Sequence, residues 1–137
     1  MEGRPTSADL DLELVLPAEP ASVPESRGTL TRALRDAGLD EDVVAEVALL
    51  AGELVTNAIK HGSREGDEIG LRAERRGDSL RIAVDDAARG ASVPQVLSQD
   101  PQRAGGRGLG MIDRIADRWG EHIVGGRNQV WFELDLG

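Results

Sequence analysis

The stretch GELVTNAIKHG, residues 52–62, closes an amphipathic run that begins near Glu41. Its reading decides the fold. At about 100° per residue, Val44, Val47, Ala51, Leu54, Val55 and Ala58 share one face of a helix over 41–60. Glu46, Glu53, Asn57 and Lys60 fall roughly opposite. Glu53 and Asn57 are four apart, so they stack one above the other. Two readings are open. The stripe is a solvated face carrying a Glu–Lys pair, or a carboxylate and an amide share one edge of a site. A carboxylate can hold and deprotonate a hydroxyl or a water, and an amide oxygen is a good ligand for Mg²⁺. The helix alone does not decide between them.

The flanks supply the rest of the frame. LDLELVLP over 10–17 alternates apolar and acidic residues, as a strand does. A connector leads to a helix over 25–38, with Gly38 as its stop. Asp40 caps the following helix. EIGLRAERRGDSLRIAVD reads as two strands joined at Arg76-Gly77-Asp78. Some twenty residues with little regular pattern follow, beyond a turn at 93–97, and loops that long inside a domain are often functional. LGMIDRIADRWG returns to helical spacing, with Leu109, Ile112, Ile115, Ala116 and Trp119 as its apolar set. EHIVGGRNQVWFELDL closes the chain as two strands around Gly125–Asn128. The order is strand, two helices, two strands, helix, two strands. It implies one domain over 1–137, with 1–9 frayed, built as a two-layer α/β sandwich: a mixed sheet with its helices on one face.

Composition narrows the function. The 137 residues carry a net charge of −9, with Lys60 the only lysine, which argues against nucleic acid as the main partner. The aromatics are Trp119, Trp131 and Phe132, too few for a base-stacking platform. There is no cysteine, so disulfides, thiol nucleophiles and cysteine metal sites are excluded. No apolar run approaches the roughly 20 residues of a membrane span. These features lead to the expectation of a soluble, cytoplasmic domain.

Two further features bear on the stripe. LRIAVDDAARG ends a strand in Asp85 and Asp86 and enters a loop of small residues. A buried carboxylate there can accept from an exocyclic amine, although aspartates at a strand end most often start turns. GGRGLG precedes a helix, where glycines let backbone approach phosphate oxygens. It lacks the Lys-Ser/Thr of a Walker loop and the third glycine of a dinucleotide fingerprint.

Taken in order, the three features resemble the Bergerat-fold ATPases, the superfamily of gyrase, histidine kinases and mismatch-repair ATPases. ELVTNAIKHG resembles the N box, VDDAARG a degenerate first glycine box, and GRGLGMID the second. With LVLPAEPASVPESR, LRDAGLDEDV and VWFELDL, the similarity extends to one branch, the bacterial anti-sigma factors that are also serine-protein kinases. The resemblance implies ATP and Mg²⁺ as ligands. It makes Glu53 the general base, Asn57 the Mg²⁺-ligating amide, and Asp86 the acceptor for the adenine amine, with Asp85 pointing away. Gly90 fits the second glycine of the first box. Arg107, Gly108 and Leu109 match the phosphate-binding lid and its helix, and His61 matches the end of the N box in a structural role. The implied partners are a sigma factor and an anti-anti-sigma protein, and the related kinases suggest a homodimer. Arg27, Arg32 and Arg35 of the first helix could supply its contacts, although a solvated face is the commoner use of such arginines.

Two departures stand against the pattern. Ala88 occupies the place of the first glycine of the first box, which would narrow the room beside the base. Gln129 stands where a threonine near the adenine is expected. Both motivate an alternative, a nucleotide-binding regulatory module with little or no kinase activity. The ATPase half of a histidine kinase fits less well, because neither His61 nor His122 lies on a long exposed helix of the right kind.

Overall fold

A computed structural model describes residues 10–89 and 109–137. Its elements are β1 (Asp11–Pro17), α1 (Ser22–Asp36), α2 (Glu41–Gly62), β2 (Glu68–Arg76), β3 (Ser79–Asp86), α3 (Gly110–Ile115), β4 (Arg118–Val124) and β5 (Arg127–Asp135). The expected order of elements is the observed one. The turn expected at 93–97 lies outside the described residues.

Helix boundaries follow from their end groups. α1 starts three residues earlier than expected. Pro24 falls in its first turn, where backbone N–H groups have no helical partner and a missing one is harmless. The Ser22 hydroxyl donates to the Pro17 carbonyl at 2.6 Å and ties this start to the end of β1. At the other end Gly38 takes a φ of +84°, and the N–H groups of Gly38 and Leu39 donate back to the carbonyls of Arg35 and Leu34. Those are the two bonds of a Schellman stop, which needs a residue at ease in the left-handed region. Asp40 then accepts from the Val43 N–H at 3.0 Å and caps α2 as expected.

The sheet has the order β1-β2-β3-β5-β4. Every described pairing is antiparallel, which corrects the mixed sheet expected from the sequence. Two helices between β1 and β2 return the chain to the end it left, so β2 runs back beside β1. β3 and β4 do point the same way, but β5 lies between them. A second correction concerns Trp119. The helical run stops at Ile115, where Ala116 turns extended, and Trp119 enters β4 opposite Phe132. Its indole N–H donates to Asp113 at 2.8 Å, holding the chain as it doubles back.

The core lies between the helices and one sheet face. Leu30 and Leu34 of α1, and Val44, Val47, Leu50, Leu54 and Val55 of α2, pack over Ile69, Leu71, Leu80, Ile82, Phe132 and their neighbours. The other sheet face is charged. There Arg118 and Arg81 both donate to Glu133, and the Arg81 guanidinium lies 4.2 Å from the centre of the Trp131 ring.

Candidate functional site

The polar stripe of α2 divides. Glu46 and Lys60 are exposed, Glu53 is half-buried, and Asn57 is only 5% exposed. A purely solvated face would leave all four in water, so the bland reading does not hold for Asn57. Its Oδ1 is buried and finds no hydrogen-bond donor among the described residues. A buried acceptor left unmet costs roughly 1–3 kcal/mol, and a hard cation is one way to meet it. Among the described residues no three His, Asp or Glu side chains gather into a metal cage. Mg²⁺ usually keeps several waters and binds few protein oxygens beside substrate phosphates, and the orphaned amide oxygen of Asn57 fits such an ion. One turn earlier, Glu53 opens onto a groove of about 300 Å³ between α1 and α2, lined also by Val23, Arg27, Leu49 and Gly52.

Asp86 ends β3 on the core side of the sheet and is 3% exposed. Strand alternation sends Asp85 to the opposite face, where it pairs with Arg127. The Asp86 carboxylate lies against the last turn of α2, so close that any Cβ at Gly62 would collide with it. Burial pushes its pKa up. The Ala88 N–H, the Asn128 amide and the Arg127 charge pull part of the way back, and Asp85 adds to the rise. The Ala88 N–H donates to Oδ1 at 2.7 Å. Ala88 itself holds a φ of +61°, so an alanine here keeps the left-handed backbone a glycine would favour.

The chain leaving β3 is fastened beyond Asp86. The Arg89 N–H donates to the Gly62 carbonyl at 3.0 Å, and the Arg89 guanidinium makes two 2.9 Å bonds to Asp67. Asp67 also accepts from the Arg64 N–H. The Arg89 hydrogen bonds, with that backbone donor, hold its carboxyl well below the usual range.

Sequence reasoning misplaced one residue and missed three. Gln129 pairs with Asp85 on the outer face of the sheet, away from Asp86. Its neighbour Asn128 is the residue directly across from Asp86. A one-residue error in register reverses every side chain of a strand, and nothing in NQVWFEL fixes that register locally. Asn128 in turn donates to Glu121 of β4 at 3.0 Å, and both are buried. Gly62 was also passed over, although a glycine closing a helix beside a strand-end aspartate is a signal of close approach. Leu109 is fully buried in the core, so its side chain anchors the start of α3. Gly90, Arg107 and Gly108 lie outside the described residues. Arg35, one of three arginines expected at a subunit contact, is paired within the chain to Glu41 at 3.0 Å.

Fold and site together define a class: a two-layer α/β sandwich whose long helix sets a half-buried carboxylate and a buried amide on the turns before a sunken aspartate. Residues 16–134 match the model of the histidine kinase-like ATPase domain. The chain belongs to that family, and an ATPase domain implies nucleotide binding. It is distantly related to the serine-protein kinase RsbW. It is 29% identical to the Staphylococcus epidermidis protein and 27% to that of Staphylococcus aureus, over 77% of this chain and 75% of each relative. A crystal structure of the RsbU and RsbW domains of a Mycobacterium tuberculosis protein superposes with a TM-score of 0.67. That match is 19% identical and covers 91% of this chain, which spans 31% of the longer one, so it speaks for the fold. No helix among the described residues is long and apolar enough to cross a membrane.

Proposed function

We propose that this domain binds ATP with Mg²⁺, sequesters a sigma factor, and phosphorylates a serine or threonine of an anti-anti-sigma partner in the cytoplasm. The observation that carries the reading is the buried, unmet Oδ1 of Asn57, one turn beyond a Glu53 that opens onto a groove. Asn57 would hold Mg²⁺, which when bound supplies charge neutralisation on the phosphates. Asp86 accepts from the exocyclic amine of the base. Glu53 takes the proton of the partner's hydroxyl as its oxygen attacks the γ-phosphorus and the bond to the ADP oxygen breaks. Gly90, Arg107 and Gly108 are assigned to phosphate binding by family resemblance, as is a homodimer. The net charge of −9 favours a basic partner, and the relatives named above carry the serine-protein kinase name.

The alternative, a nucleotide-binding module without transfer, rested on Ala88 and Gln129. Gln129 faces away from Asp86, so that departure loses its force, while Ala88 keeps the glycine-like backbone but still adds a methyl where a glycine would leave room. The test is ³²P transfer from labelled ATP to a purified anti-anti-sigma partner, run beside calorimetry. Glu53→Gln should keep ATP affinity and lower transfer roughly 10²–10⁴-fold, the usual range for a general base. Asn57→Ala should damage both. An unmodified protein that binds ATP and partner but transfers no phosphate would remove the kinase reading.

A further inference from the structure

The buried side chains on the core side of the sheet are aliphatic or aromatic, except along one row. Asp86 of β3, Asn128 of β5 and Glu121 of β4 are 3%, 6% and 2% exposed. Asp86 and Asn128 are direct cross-strand partners. Glu121 pairs with Val130, two residues from Asn128, a diagonal that a long side chain can span. Its Oε2 accepts the Asn128 Nδ2 hydrogen at 3.0 Å. Burying a carboxylate is expensive, and the phosphotransfer chemistry has no use for one on β4.

The chemistry of the row supplies a use. An amide between two carboxylates has one favourable orientation, because only its NH₂ can donate and its carbonyl would be repelled by either neighbour. One N–H goes to Glu121. The other is left for the side of Asp86. We propose that Glu121 is a positioning residue: it fixes the Asn128 amide so that the second N–H holds the Asp86 carboxylate in one rotation, ready for the amine of a purine base. The proposal rests on the reading of Asp86 as the base acceptor, and its test separates the two.

The first measurement needs no nucleotide. In ¹⁵N NMR of the free protein, the Asn128 side-chain NH₂ should exchange slowly. It should exchange fast in Glu121→Leu while backbone amides of β4 and β5 stay protected. Glu121→Gln, whose amide oxygen can still accept, should restore slow exchange. The second compares ATP with ITP, which lacks the exocyclic amine. Glu121→Leu should lose about tenfold of the preference for ATP, the scale of one buried hydrogen bond, with ITP affinity unchanged. Asn128→Ala should lose as much, and the double variant no more than either single one, since both act along one path. Fast exchange of the Asn128 NH₂ in the unmodified protein, or unchanged exchange in Glu121→Leu, overturns the positioning role. So does additivity in the double variant. Equal affinity of the unmodified protein for ATP and ITP would instead defeat the base-acceptor reading, and the exchange data would still decide the link between Glu121 and Asn128.

Discussion

Ala88 carries a backbone that alanine disfavours, with a φ of +61°. The left-handed region costs an L-residue roughly 1–2 kcal/mol, and part of that returns because glycine loses more chain entropy on folding. Ala88→Gly should therefore be neutral or stabilise by about 0.5 kcal/mol, and Ala88→Val should destabilise by roughly 1–2 kcal/mol, since a branched Cβ fits this region worst. Urea unfolding measures both. Asp86 makes the second residue-scale argument. Its pKa is raised above 3.8 by burial. The folded state then binds that proton more tightly, so the penalty for the buried anion is full above the raised midpoint and fades as pH falls toward 3.8. Asp86→Asn should stabilise the fold above the midpoint. ATP affinity of the unmodified protein should weaken as pH falls through the midpoint, and in Asp86→Asn it should be low and flat with pH. At this scale the sequence singled out Asn57 and Asp86, but helical spacing left Asn57 with two readings and the choice of Asp86 over Asp85 came from the family resemblance. The structure adds that both are buried. Asn128 was illegible, because its role depends on which strand residue faces Asp86.

The elements were legible where their ends carry their own chemistry. Asp40 and Gly38 mark the junction of α1 and α2, and the structure shows the cap and the stop each implies. The cap is open to a simple check. Asp40→Ala removes the acceptor for the Val43 N–H and should lower stability by about 1 kcal/mol, read as a shift in the urea midpoint with an unchanged slope. Legibility failed where a local pattern had two readings. Ile112, Ile115 and Trp119 fit a helical spacing, yet Trp119 also fits a strand that pairs with Phe132. The sheet wins because β5 offers a full row of backbone partners to β4, and a six-residue helix has little of its own to set against that. The connector expected before 25 hid the start of α1, whose first turn takes in Pro24, a position where a proline breaks nothing.

At the scale of the whole molecule, the order of elements was legible and the order of strands was not. Placing β5 between β3 and β4 depends on contacts between distant residues, which no local window contains. That arrangement gives the sheet two unlike faces, and the difference predicts where stability resides. The helix-covered face holds Phe132 without exposure, packed in the shared core. The open face holds Arg118, bonded to Glu133, Asp135 and Ser79 yet itself well exposed. More hydrogen bonds touch Arg118 than touch Phe132, so a count of polar contacts would rank the arginine first. Area and solvent say otherwise. Truncating a buried phenylalanine removes its transfer free energy and leaves a cavity, about 3–5 kcal/mol. An exposed guanidinium loses interactions that water largely replaces, so Arg118→Ala should cost under about 1 kcal/mol. Because Phe132 and Asn128 belong to one strand, the loss in Phe132→Ala should also loosen the row that holds Asp86 and weaken ATP binding, whereas Arg118→Ala should leave binding unchanged. Urea unfolding and calorimetry on the two variants check both halves. Equal stability losses would mean that the ion-paired face contributes as much as the core, and a binding defect in Arg118→Ala would tie the open face to the nucleotide site.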